Sequence, residues 1–182
     1  MQPKRFWLTV AAIAALVGGY FFIDGVFTGL PSLEELENPR PPIATRVYSA
    51  DGELIDKFFE ENRSRISTLD SVPKAFLDAL LATEDTRFYE HWGVDLRAVA
   101  RVILLNLSKF TLRGPGGSTL TQQLARKLFL SDEVTIMRKL REMVTAVQIE
   151  RRYTKDEILL MYVNVVPFGR GAYGLQAAAQ EY

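Results

Sequence analysis

The stretch "LLATEDTRFYEHWGVD", Leu80 to Asp95, closes an apolar run with Glu84, Asp85, Arg87, Glu90 and His91 in quick succession. His91 is the single histidine of the chain, and Phe88, Tyr89 and Trp92 edge the cluster. A solvated helix end accounts for the charges taken alone, so the surrounding pattern has to decide. Working backwards, Pro73 suits the first turn of a helix running to about Glu84, with Phe76, Leu77, Leu80 and Leu81 on one side. Working forwards, Val94 to about Leu107 reads as a second helix, apolar over much of its circumference. The segment "SKFTLRGPGG" then breaks the pattern. Ser118 is expected to cap a helix through Leu130, and a longer helix runs from about Glu133 to Arg152. Thr154 with Glu157 forms a capping box for the next one, to about Val165. After the glycine-rich "PFGRGAYG", a further helix begins at about Leu175. The cluster therefore sits inside a mostly α domain.

On the N-terminal side, "RVYSADGELIDKFF" holds two short β-like runs, Arg46 to Ser49 and Glu53 to Phe59. They flank Asp51-Gly52, a strong hairpin signal. Residues 24 to 45 carry glycines, prolines and the acidic patch Glu34 to Glu37, and "PRPPIAT" reads as a stiff extended connector. Before them, Lys4 and Arg5 precede an uncharged, mostly apolar run from Phe6 to Ile23, ended by Asp24. Such a run is long enough to cross a bilayer, and Trp7 and Tyr20 fall near its two ends, where amphipathic rings prefer the headgroups. A cleaved signal peptide has a shorter apolar core and a small-x-small site, which does not follow here. An uncleaved anchor is expected, with a cytoplasmic tail at 1–5, the span at 6–23 and a linker at 24–45. The basic residues before it place the N-terminus in the cytoplasm and the domain, 46–182, on the outer face.

The bulk numbers bound the rest. At 182 residues the chain accommodates one domain with a core plus an appendage, and 22 basic side chains balance 22 acidic ones. A nucleic-acid partner relying on bulk positive charge is excluded. There is no cysteine, hence no disulfide, no thiolate zinc site and no cysteine nucleophile.

Several segments carry candidate chemistry, each with a plainer alternative. Gly169, Gly171 and Gly174 have dinucleotide-motif spacing, but a helix is expected before them and no acidic partner follows at the required distance, so that reading is rejected. What remains is a helix-to-helix connection where substrate can approach backbone amides. In "RKLRE", Arg138, Lys139 and Glu142 share one side of a helix; a surface ion pair is the plain reading. Yet Ile136, Leu140, Met143 and Val147 flank that face, and cation-before-acid is the less favourable order. In "GGSTLTQQLARKLFL", Ser118, Thr119, Thr121, Gln122 and Gln123 follow a glycine loop, and a helix N-terminus with hydroxyls suits an anionic or sugar ligand. Val102 to Leu105 reads as ordinary core. Phe110 and Leu112, flanked by Lys109 and Arg113, read as an apolar tip able to touch lipid headgroups.

In this order and at these separations, "EDTRFYEHWG", "GGSTLTQQL", "RKLRE" and "KDEILLMYVNVVPFGRGAYG" resemble the peptidoglycan glycosyltransferase domain, glycosyltransferase family 51. That domain occurs in class A penicillin-binding proteins and monofunctional transglycosylases. The resemblance covers about Arg46 to Tyr182, and the lead-in "IATRVYSADGELIDKFFEENR" looks like the class A kind. It implies a lysozyme-like α fold with a small β-hairpin element, behind one transmembrane helix at the outer face of the bacterial cytoplasmic membrane. The implied reaction polymerises lipid II into β-1,4 glycan with release of undecaprenyl diphosphate. Lipid II, nascent glycan and the membrane are the implied partners, with other cell-wall synthesis proteins beside them.

By resemblance, Glu84 is the catalytic acid/base, with Asp85, Phe88 and His91 around it. Ser118, Thr119, Gln122, Gln123 and Arg126 come from the second motif, and Arg138, Lys139 and Glu142 from the third. Lys155, Tyr162, Asn164, Gly169 and Gly171 match the fourth. Arg126-Lys127 stand where the family more often has Lys-Asn, so a guanidinium fork replaces a point charge. Leu160 stands where a Glu is common and Pro167 where an aromatic is common. No covalent cofactor is implied; a divalent cation, Mg or Mn, at the diphosphate near Glu142 is the expected place for a metal.

The chemistry asks for these groups. An acceptor hydroxyl loses its proton as it attacks, so a carboxylate must lie within reach. Glu84, at an apolar helix end beside aromatic rings, is expected to have its pKa raised. The diphosphate leaving group wants positive charge more than a proton, which Arg126, Arg138 and Lys139 supply. Glu142 then orients cations or donor rather than carrying a second proton. A lytic hydrolase of similar fold, or a non-catalytic membrane-anchored scaffold, are the rival readings. Because the chain stops at "AAAQEY" inside an expected helix, it is read as a fragment of the family domain.

Overall fold

The computed structural model describes residues 3–37, 45–51, 54–58, 62–63, 65–109, 117–130 and 133–182. The proline-rich segment before Thr45, Gly52 of the hairpin turn and the apolar tip Phe110 to Arg113 lie outside the described residues. Eight helices are described, α1 Pro3–Phe27, α2 Leu33–Glu37, α3 Lys74–Glu84, α4 Leu96–Lys109, α5 Leu120–Phe129, α6 Ile136–Glu150, α7 Lys155–Val165 and α8 Leu175–Glu181. Five short strands accompany them, β1 Thr45–Tyr48, β2 Leu54–Phe58, β3 Asn62–Arg63, β4 Pro167–Gly169 and β5 Ala172–Tyr173. β1 and β2 pair antiparallel, Thr45 opposite Phe58 and Tyr48 opposite Leu54, with a bulge at Val47/Tyr48. This is the expected hairpin.

α5 is the spine of the core and packs on both α6 and α7. Leu120, Leu124 and Ala125 on its buried side meet Phe88, Ile149, Ile158, Leu159, Tyr162 and Val165. Leu77, Leu80 and Leu81 of α3 lie against the same cluster, so the apolar run ahead of Glu84 is what seats the cluster of charges. Local capping sets the register of the spine. Thr119 accepts the Gln122 amide while Gln122 accepts the Thr119 amide, a reciprocal box. The cap is thus Thr119, one residue beyond the expected Ser118, because a Gln three residues on completes the box only for Thr119. α7 opens on the expected box of Thr154 and Glu157.

Two expectations are corrected. The glycine-rich segment is not a plain helix connection: β4 and β5 form an antiparallel hairpin, and β3 adds to β5 in parallel. Gly169, Arg170 and Gly171 turn it with consecutive positive φ values of 91°, 47° and 73°, a run that glycine on both sides of one strained residue permits. Leu104 is not core; it is 68% exposed on α4. Within the expected 24–45 linker, part of the chain is helical. α1 continues through Asp24 to Phe27, α2 starts with a Ser32–Glu35 box, and Leu36 is fully buried in the core. Tyr153 Oη donates to the Leu36 carbonyl at 2.5 Å, and Arg152 pairs with Glu37.

The segment Phe6–Phe27 is long and apolar enough to cross a membrane, with none of its window buried in the protein. Its C-terminal end docks on α6. Arg141 donates to the Gly25 carbonyl through Nη2 at 2.6 Å and Nε at 3.2 Å, an acceptor the helix end leaves open. Gly29 faces the same guanidinium, and a Cβ there would lie 2.5–2.7 Å from three of its atoms. Arg141→Ala is expected to lower stability by about 1.5–3 kcal/mol, the range for hydrogen bonds involving a charged group. Gly29→Ala should do so through Arg141, so it should cost less in the Arg141→Ala background than alone. Thermal melts of the detergent-solubilised protein decide this; equal costs in the two backgrounds would sink the contact.

Candidate active site

The charged cluster is built by the abrupt end of α3. Glu84 is its last helical residue, and Asp85 leaves the helix at φ −159°, ψ 78°. From there Asp85 turns inward and Glu84 outward. The buried Asp85 carboxylate accepts the Leu120 amide at 3.0 Å and the His91 Nε2 proton at 2.9 Å. Because His91 Nδ1 accepts the Gly93 amide at 3.1 Å, the proton belongs on Nε2. Gly93 in turn gives its carbonyl to the Thr119 hydroxyl at 2.6 Å. Its φ is 102°, and a Cβ there would sit 2.8 Å from the Ala146 backbone, so no side chain fits where the segment presses on α6. The start of α5 is therefore stitched to the end of α3 at Asp85 and at Gly93.

Glu84 is exposed. Of the aromatic side chains expected around it, Phe88 is buried in the core, 1% exposed, whereas Tyr89 and Trp92 lie on the surface. The physical reason is the break at Asp85, which sends consecutive side chains in opposite directions. Glu84 Oε2 instead accepts Gln123 Nε2 at 2.9 Å, and Gln123 Oε1 accepts the Tyr162 hydroxyl at 3.0 Å. Burial, and after it the negative charge of Glu84, push the Tyr162 phenol up to about 12, against the opposing pull of Arg126. Arg126 and Lys127 line a small cavity with Gln123, Tyr162, Val165, Val166 and Pro167, and Arg126 Nε is buried there without a hydrogen-bond partner.

The third motif is not a surface ion pair. Glu142 is 3% exposed, and its two oxygens take Arg138 and Lys139 separately. Lys139 also donates to the Ser118 hydroxyl and reaches Gln122 Oε1 at 3.4 Å. Both Glu142 oxygens are thus engaged by cations, the arrangement a cation-orienting role requires. The described residues contain no group of three His, Asp or Glu side chains able to hold a metal. The donor set around Glu142 therefore does not fit a protein-held divalent cation.

Other expected substrate contacts turn out to be internal. Lys155 donates to the His91 carbonyl at 2.6 Å and to Glu150 at 2.8 Å, and its ammonium lies 4.6 Å from the Phe88 ring centre. Asn164 grips Ile66 by both its amide and its carbonyl, at 2.7 and 2.9 Å, so it ties α7 to the segment following β3. Gly169 and Gly171 shape the hairpin. The pattern-based reading misses Glu150, which accepts Thr121 and Lys155; its one signal is the i,i+5 relation to Lys155. It misses Asp95 too, although an Asp just before a helix is a recognisable cap. Asp95 accepts the Arg97 and Ala98 amides and pairs with Arg87.

Burial alone would raise the Asp95 carboxyl, but the Ala98 and Arg97 amides and the Arg87 guanidinium outweigh it and hold it below its ordinary 3.8. A group whose folded value is depressed stabilises above its unfolded value and loses that contribution as pH falls through the folded one. Asp95→Asn is therefore expected to cost about 1–2 kcal/mol at neutral pH. The gap to wild type should close on acidification below the ordinary carboxylate range. Urea melts across that window test it; a gap independent of pH would contradict the assignment.

Against known proteins, the sequence profile of the Transglycosylase family matches residues 51–182. The chain is 42% identical over 185 residues to penicillin-binding protein 1A of Escherichia coli K12, covering 100% of this chain and 22% of that protein. It is 41% identical over 180 residues to penicillin-binding protein 1A of Pseudomonas aeruginosa, covering 97% and 21%. With penicillin-binding protein 1A of Rickettsia felis the identity is 38% over 182 residues, covering 97% and 23%. The chain thus spans about a fifth of the length of the curated relatives it matches.

Proposed function

Because the chain belongs to the transglycosylase family, we propose that it is a membrane-anchored peptidoglycan glycosyltransferase that polymerises lipid II into β-1,4 glycan. One observation carries the reading beyond family membership. The start of α5 joins the two groups such a reaction needs. Gln123 holds the exposed Glu84, while Ser118 and Gln122, a few residues earlier, hold Lys139 of the cation cluster.

In the proposed step, an acceptor hydroxyl attacks the anomeric carbon of the donor and gives its proton to Glu84. Glu84 Oε2 is engaged by Gln123, and Oε1 has no protein partner among the described residues, so it is the oxygen offered to the hydroxyl. The new C–O bond forms as the bond to the diphosphate breaks, with inversion, and undecaprenyl diphosphate departs. Lys139, the more exposed of the two cations on Glu142, and the unpartnered Arg126 Nε suit the charge that develops there. Glu142 keeps the cations spread and aimed. A divalent cation, Mg or Mn, belongs on the diphosphate oxygens of the substrate rather than in a protein cage, where it would neutralise leaving-group charge.

The apolar helix supports the rest. Phe6–Phe27 would confine the enzyme to the surface that holds its lipid-linked substrate, raising their encounter rate. Lys4 and Arg5 favour a cytoplasmic N-terminus with the domain outside. The test is lipid II in detergent beside preformed glycan, with products separated by length. Longer glycan from lipid II supports the transferase. Shortened glycan would favour the lytic reading, and binding without either product would favour a scaffold.

A further inference from the structure

A carboxylate used as a base has to be held in one place, yet Glu84 is exposed and sits at the last residue of its helix. Its described protein contact is the Gln123 amide. An amide side chain is two-faced: turned one way it donates to Glu84, turned the other it sets a carbonyl against a carboxylate. Ionised carboxylates only accept, so Gln123 must present Nε2 to Glu84 and leave Oε1 pointing away. At Oε1 stands the Tyr162 hydroxyl, 3.0 Å distant, which must therefore donate. Tyr162 belongs to the core cluster and is 3% exposed, so it has little surface to offer a substrate.

We infer that Tyr162 is a positioning residue for the reaction, fixing the amide orientation of Gln123 and through it the aim of Glu84. The inference rests on Glu84 being the base and replaces the substrate-contact role expected for Tyr162. The phenol value near 12 keeps the hydroxyl protonated, and so donating, at any pH the enzyme would meet. Three elements meet in the chain of bonds, the end of α3, the first turn of α5 and the last turn of α7. It therefore closes only in the folded domain.

The test is a double-mutant cycle on lipid II polymerisation by the membrane-anchored protein, with Tyr162→Phe, Gln123→Ala and the pair. Phe keeps the ring and removes only the hydroxyl. Tyr162→Phe is expected to lower kcat about tenfold to thirtyfold, within the range of one lost orienting bond. KM should stay within about twofold. The pair should be no slower than Gln123→Ala alone, because Tyr162 acts through Gln123. An unchanged kcat, a loss confined to KM, or losses that multiply would each overturn the inference. If Tyr162→Phe melts early, Gln123→Met breaks the relay while leaving the ring packing in place, and an undiminished kcat there is equally fatal. Glu84→Gln and wild type, run in parallel, separate the levels: no glycan from wild type would sink the function reading, full activity in Glu84→Gln would sink Glu84 as the base, and its inactivity beside a normal Tyr162→Phe sinks only the relay.

Discussion

Glu84→Gln is expected to remove glycan polymerisation by a factor of about 10²–10⁴ while leaving lipid II binding within a few-fold of wild type. The size follows from what a positioned general base contributes. The specificity follows from geometry. The replacement has the same shape, and its amide oxygen can still accept from Gln123, so the chain through Gln123 to Tyr162 survives. Exposure of the site means that no buried charge is lost and no cavity opens, so the melting temperature should hardly move. What disappears is the capacity to take a proton from the acceptor. Product length from lipid II, a binding isotherm and a melt on the same sample settle the matter. Polymerisation at an undiminished rate would end the assignment of Glu84, and a large drop in melting temperature would mean that it is structural.

Glu142→Ala is expected to act in the opposite way, through the fold first. The side chain is 4% exposed and neutralises Arg138, itself 12% exposed. Removing it leaves two cations facing a desolvated gap, a situation that costs about 3–5 kcal/mol when a buried pair is broken on one side. For a chain of this size, that lowers the melting temperature by roughly 10 °C. A companion variant separates stability from chemistry. With Arg138→Met, Lys139→Met and Glu142→Leu together, the desolvation penalty vanishes along with the attraction, and stability should return to near wild type. Polymerisation should not return, because the diphosphate has lost its cations. A triple variant as unstable as Glu142→Ala would show that packing, not charge, sets the cost. An active triple variant would remove the third motif from the mechanism.

These two carboxylates also show where legibility stopped. Both are found by motif, and both lie at helix positions that periodicity places correctly. Their surroundings are another matter. Pattern alone put Glu84 at an apolar helix end beside aromatic rings and offered a surface ion pair as the plain reading of Arg138–Glu142; the fold turns Phe88 away from Glu84 and buries the pair. The first reversal comes from one backbone break at Asp85, which sorts Phe88 inward and Glu84 outward. The second comes from α6 packing on α5, which buries a face that looks charged on a helical wheel. Likewise Lys155 and Asn164 carry the residue types of ligands, but they spend their donors on His91, Glu150, Ile66 and Leu160.

Some features follow from neighbours along the chain alone. The Thr154–Glu157 box, the hairpin between Thr45 and Phe58, the apolar run after Lys4 and Arg5 and the ends of α3 and α7 are local, decided within a few residues by capping, turn chemistry and hydrophobic spacing. Which donor meets which acceptor across large separations is set by packing and not by local sequence. Gln123 reaches Glu84 from 39 positions away, Asn164 reaches Ile66 from 98, and Arg141 reaches Gly25 from 116. A polar side chain carries the same donors and acceptors wherever it is placed. Whether they serve a substrate or the protein's own backbone depends on what packing brings against them, and that is a property of the assembled core.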